Sequence, residues 1–185
     1  GIFYVGQPAD APVAREGNDR SRAQESLPSC GVACCFVLLR LHGLPVTLPE
    51  VKNQFASETE DFENLSAAEL VRALKGLGLE STGWKCELER PSTWPTPAIL
   101  HFPPEKVRAI GPRNGHFVVL VAVRGEVADV VDASMGVRRT VPVSDLARMW
   151  PGNMIVAREV LSGDKRGIEK ILAGALVIQA AIVVA

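Results

Sequence analysis

The order of its periodicities most constrains what this chain can fold into. Before Gly83 the apolar residues recur at helical spacing, and from there to about residue 160 they run or alternate as strands do. The first helix is expected from Cys30 to Leu41, with the stripe Val32, Ala33, Phe36, Val37 and Leu39, stopping at His42-Gly43 with Gly43 as a left-handed cap. Thr47-Leu-Pro-Glu50 and Ser66-Ala-Ala-Glu69 are both capping boxes. They start a short helix to about Phe55 and another whose apolar face is Leu70, Val71, Leu74 and Leu77, ended by Gly78. Residues 91–97 form a proline-rich connection, and residues 98–102, 116–124, 127–132, 138–141 and 154–160 read as strands. Gly125-Glu126 is the hairpin turn between two of them, and Ser144 is placed to cap a short helix ending near Trp150. Helices first and an antiparallel sheet afterwards is an α+β arrangement, N-terminal helices packed on the sheet.

Residues 1–23 are polar and aperiodic and read as a flexible lead-in, residues 24–160 as one domain, and 161–185 as a linker and hydrophobic tail. The net charge of −1 and the lack of a basic stripe argue against a nucleic-acid partner. Four cysteines, Cys30, Cys34, Cys35 and Cys86, are too few for a disulfide scaffold at this size and lack zinc-ligand spacing. Reduced thiols in a cytosolic setting follow, with no metal and no cofactor expected.

The chemistry concentrates in residues 24–35, where a loop closed by Pro28 and Ser29 delivers Cys30 to the first turn of a helix. The partial positive charge of a helix start, with an imidazolium nearby, supplies thiolate at neutral pH. Gly31 is expected to leave room there for a substrate backbone. Cys34, Cys35 and Cys86 read as packing residues. His116 opens the hydrophobic strand at 116–124, and Asp132 ends its hairpin partner, so the carboxylate can orient the ring. Asp129 competes for that role, but its odd spacing from Asp132 puts it on the opposite face. His101 reads as a core histidine and His42 as a cation suited to the last turn of a helix. Gln24, six residues before Cys30, can point its amide at a developing oxyanion, with the Cys30 N–H as second donor, although a solvated loop glutamine looks the same in sequence.

Gln24-x5-Cys30-Gly-Val-Ala-Cys, then Gly-His116-Phe-Val-Val-Leu, then Val-Val-Asp132 resembles the bacteriocin-processing cysteine peptidases, family thirty-nine, with a papain-like fold. The similarity runs from about Gln24 to Ala157 and includes Leu-Ala-Arg-Met-Trp150-x-Gly152. It implies a protease that removes the helical N-terminal leader of a secreted peptide precursor after a double-glycine type motif, in a domain often fused to the front of an ABC exporter. It further implies Cys30 as nucleophile, His116 as base, Asp132 as orienter and Gln24 as oxyanion donor. Where the family usually has proline after the aspartate, Ala133 stands here, which frees the following loop.

Residues 171–185 are apolar or small except Gln179, and Lys165, Arg166 and Lys170 precede them. The run is shorter than the roughly 20 residues a bilayer crossing needs. It reads as a spanning helix cut off by the end of the chain, with the basic residues holding the domain on the cytoplasmic face of the membrane. The alternative is an amphipathic or buried C-terminal helix. Besides the exporter reading, in which transmembrane and ATPase domains would be partners, two others stand: a freestanding membrane-tethered relative, and a non-catalytic module that docks a secretion signal.

Overall fold

The computed structural model describes residues 29–57, 61–62, 64–105 and 115–159. Gln24, the lead-in and the hydrophobic tail lie outside the described residues. Among those described, no helix is long and apolar enough to cross a membrane.

Helix α1, Cys30–Leu41, is apolar on almost every side and buries Val32, Ala33, Cys34, Cys35, Leu38, Leu39 and Leu41. A helix of that composition is stable only when neighbours enclose it. Helices α2, Leu48–Ala56, and α3, Ala67–Gly76, do so with one face each, Val51 and Phe55 from α2 and Leu70, Ala73 and Leu74 from α3. Both begin in complete capping boxes, in which Thr47 and Ser66 exchange hydrogen bonds with Glu50 and Glu69. Gly43 at φ 75° and Gly78 at φ 89° turn the chain out of α1 and α3.

Six strands follow: β1 Ser81–Lys85, β2 Ala98–Phe102, β3 His116–Arg124, β4 Val127–Asp132, β5 Val137–Pro142 and β6 Asn153–Ala157. They form one sheet in the order β1-β6-β2-β3-β4-β5, every neighbouring pair antiparallel. The two-residue alternation of side chains divides the core in two. Ile99, Phe117, Val119, Val131, Ile155 and Ala157 face α1, α2 and α3. Ala98, Leu100, Val118, Leu120, Val130 and Val156 face the other way, under Val143 and Leu146 of α4, Val143–Met149, and under Trp94 and Trp150. Those two indoles meet edge to face, centroids 5.1 Å apart, and each donates its N–H to a backbone carbonyl, of Glu87 and Asn153. Burial on both faces explains why β2 and β3 read as continuous apolar runs. A fully buried Leu, Ile or Phe contributes roughly 1.5–3 kcal/mol.

The structure departs from the sequence reading in three places. Strand β1 was not anticipated, since Ser-Thr-Gly-Trp-Lys is half polar and only Ser81 is buried. It is an edge strand held by β6 alone, so the sheet, not its own pattern, determines it. Helix α4 is entered from Pro142 with no side-chain cap, two residues ahead of the expected cap Ser144, because β5 runs to Pro142 and the Val143 N–H is taken by the Glu126 carbonyl. Strand β6 ends at Ala157 rather than Val160, where β1 also ends its pairing.

Candidate active site

The site lies where α1 begins, β3 begins and β4 ends. Ser29 caps α1: its Oγ accepts from the Val32 N–H at 3.5 Å, and its carbonyl accepts from Ala33. A cap of this kind leaves the N–H groups of the first helical residues, Cys30 and Gly31, without partners inside the helix. Cys30 is half-buried at that end. Gly31 is not an opening for substrate as its sequence position suggested. A Cβ there would stand 3.1 Å from the methyl groups of both Leu65 and Leu70, so glycine is what lets α1 close on α3.

His116 is set by the residue before it. Gly115 has φ 91°, and a Cβ on it would fall 2.1 Å from the Phe102 carbonyl oxygen. Only glycine brings the chain into β3 at this angle. Phe102 pairs with His116 and Val119 with Val131. Extending the second pairing by one residue sets Val118 against Asp132, so His116 and Asp132 are diagonal neighbours on one face, within side-chain reach. Accordingly, His116 Nε2 and Asp132 Oδ2 are 2.8 Å apart. The thiol of Cys30 is also hydrogen-bonded to the imidazole, and Nδ1 is the ring nitrogen that Asp132 leaves for it. Burial disfavours a charged ring, but the bonds and charges of Asp132 and Cys30 outweigh it and raise the His116 pKa to about 9. Burial likewise opposes the Asp132 carboxylate, and His116 and Ser134 overcome it, so its pKa is lowered. The ring is thereby favoured in its charged form, with the Asp132 carboxylate on one side and the sulfur of Cys30 on the other.

Asp132 is held from its other side as well. Ser134 Oγ–H donates to Oδ1 at 2.8 Å, and the Met135 N–H bonds to the carboxylate. Asp129 is engaged elsewhere, with Arg124 at 3.1 Å, Arg138 at 3.2 Å and Thr140 at 2.7 Å. The remaining cysteines are reduced and buried. Burial pushes the Cys34 and Cys35 thiols far up and Cys86 to about 11, which leaves all three protonated and poor nucleophiles. Cys34 does more than pack, since its sulfur receives the Ala133 N–H from the loop after Asp132. His101 stacks on Phe117 with centroids 4.8 Å apart. His42 is not the solvated cation its place suggested: it is buried, paired at 2.5 Å with Glu159, and burial lowers its pKa despite that partner. Among the described residues no group of three or more His, Cys, Asp or Glu is arranged to hold a metal ion.

Sequence reasoning named Cys30, His116 and Asp132, which the fold brings together, and Gln24, which lies outside the described residues. It did not name Ser134 or Gly115. A hydroxyl two residues after an aspartate is a weak signal that the two will bond. Glycine directly before a strand-opening histidine is a weak signal of positive φ.

Residues 19–160 match the Peptidase C39 family. Over 138 residues the chain is 25% identical to the lactococcin-G-processing and transport ATP-binding protein LagD of Lactococcus lactis subsp. lactis, a match covering 71% of this chain and 18% of that protein. The fold is similar to a double glycine motif protease from an AMS/PCAT transporter, solved in complex with the leader peptide, at TM-score 0.56 and 23% identity over 72% of this chain and 86% of that one. It is similar also to the peptidase domain of Streptococcus ComA, a bi-functional ABC transporter involved in a quorum-sensing pathway, at TM-score 0.56 and 17% identity over 72% and 93%. The architecture shared with both is the α+β, papain-like one.

Proposed function

The chain belongs to the Peptidase C39 family, and on that premise we propose that it is a cysteine endopeptidase that removes a peptide precursor's leader after a double-glycine type motif. The observation that carries the reading is one imidazole bonded at once to Cys30 and to Asp132. His116 takes the proton of Cys30 as base, and the thiolate so formed beside the imidazolium is the nucleophile. Its sulfur bonds to the scissile carbonyl carbon, and the oxygen takes the negative charge beside the Cys30 N–H. The resemblance assigns the second donor to Gln24. As the tetrahedral intermediate collapses, His116 gives its proton to the leaving amine, and the leader stays on sulfur as a thioester. The neutral ring then accepts a proton from water, whose oxygen attacks the thioester and releases the leader as a carboxylate. Asp132 keeps Nε2 occupied, so that the opposite nitrogen faces sulfur throughout.

Residues without side chains before the cut suit a narrow channel beside Cys30, and the leader's helical part would supply the remaining affinity through its apolar face. The similarity to LagD supports a place at the front of an exporter, and residues 165–185 support a catalytic domain on the cytoplasmic side of the membrane. A synthetic precursor in which two glycines join the leader to a further peptide segment should be cut by the chain after the second glycine and left intact by Cys30→Ala. Replacing both glycines by leucine should block cleavage. Cutting by Cys30→Ala would place the nucleophile elsewhere.

A further inference from the structure

The loop that leaves Asp132 opens with Ala133, which supplies no ring to fix it. Three donor groups hold residues 133–135 instead. The Ala133 N–H goes to Cys34 Sγ, one helical turn from Cys30. Ser134 Oγ–H goes to Asp132 Oδ1 at 2.8 Å, and the Met135 N–H reaches the carboxylate and, at 3.3 Å, the Asp132 carbonyl. Only the second is made by a side chain toward the atom group that holds His116. The Asp132 side chain is 9% exposed, so water has little access to replace a lost donor.

We propose that Ser134 is a positioning residue of the peptidase, its hydroxyl fixing the Asp132 carboxylate so that Oδ2 stays on His116 Nε2. This rests on the assignment of Cys30, His116 and Asp132 as the working set. A carboxylate rotates about one bond, and a donor on Oδ1 two residues away closes a short ring that stops that rotation. Without it, Met135's backbone N–H alone opposes a turn of the carboxylate away from the ring. His116 would then lose orientation toward Cys30, and the cost would fall on the chemical steps rather than on leader binding.

The test compares Ser134→Ala and Ser134→Thr with the unaltered chain. In Ser134→Ala, kcat on the double-glycine leader should fall about tenfold, the lower range for a hydrogen bond to a charged group, with KM unchanged. Ser134→Thr keeps the hydroxyl at a position that is only half-buried, so it should restore the rate. The second readout is the NMR titration of the His116 ring, which needs no substrate. Its midpoint should fall in Ser134→Ala and return in Ser134→Thr. An unchanged midpoint overturns the proposal, because a loop residue that merely aids stability does not move it. A raised midpoint also overturns it, since the hydroxyl would then only draw charge from the carboxylate. Cys30→Ala, assayed alongside, separates the two claims: cleavage surviving there refutes the site assignment, while the His116 titration still decides the role of Ser134.

Discussion

Substituting Gly115 by alanine tests how strictly the backbone places His116. Two costs follow from the structure. The residue has φ 91°, a conformation that costs a non-glycine residue of order 1–3 kcal/mol. Its new Cβ would also stand 2.1 Å from the Phe102 oxygen, whereas a tolerable approach begins near 3.0 Å, so the start of β3 must move by at least 0.9 Å (3.0 − 2.1). That movement strains the terminal Phe102–His116 pair, and losing one ladder bond adds about 1 kcal/mol. The sum is a destabilisation of about 2–4 kcal/mol. The larger effect falls on turnover: displacing a reacting group by 1 Å costs about 10²-fold. Urea unfolding measures the first, and kcat on a double-glycine leader under folded conditions measures the second. A Gly115→Ala chain that is nearly as stable and turns over at the unaltered rate would refute the claim that this glycine positions the imidazole.

Stability should depend on pH through the same pair. The His116 pKa is about 9 in the folded chain against 6.5 ordinarily, so its contribution is fully present below pH 6.5 and is lost as pH rises through 9. Asp132 acts in the opposite sense: its contribution is present above its ordinary 3.8 and is lost as pH falls through the lowered folded value. The difference in urea midpoint between the unaltered chain and His116→Ala should therefore shrink from about pH 6 to about pH 10, and a constant difference would contradict the shift. Asp132→Asn should lower kcat less than Cys30→Ala does, because an amide still holds the ring but no longer stabilises its charge. His101→Ala should cost stability of about 0.5–1.5 kcal/mol from its stack on Phe117, with turnover of folded protein little changed. A greater loss of turnover than in His116→Ala would mean the proton carrier is misassigned.

Much of the fold was legible because its signals are local. The two capping boxes need four residues each, and Gly43 and Gly78 mark helix ends by their own backbone freedom. The apolar runs on either side of Gly125-Glu126 predict a hairpin whose ends carry His116 and Asp132. What stayed hidden depends on distant partners. Strand β1 exists because β6 offers it an edge. Gly31 is explained by Leu65 and Leu70, whose approach no sequence pattern displays. His42 is neutralised by burial and held by Glu159, 117 residues away. Ser134 became visible only with the Asp132 oxygens resolved into one that faces the ring and one that does not.

The central claim, that Cys30 alone carries the thiolate which attacks the leader, is tested most directly by trapping it. A leader peptide ending in Gly-Gly chloromethyl ketone places an electrophilic carbon at the scissile position, and sulfur displaces chloride to leave a stable thioether. Intact-mass and peptide-mapping measurements at neutral pH should show one adduct per chain, on Cys30, formed far more slowly in His116→Ala and absent with a Leu-Leu analogue. An adduct on Cys34, Cys35 or Cys86, or labelling of Cys30 at equal rates with both peptides and both chains, would contradict it.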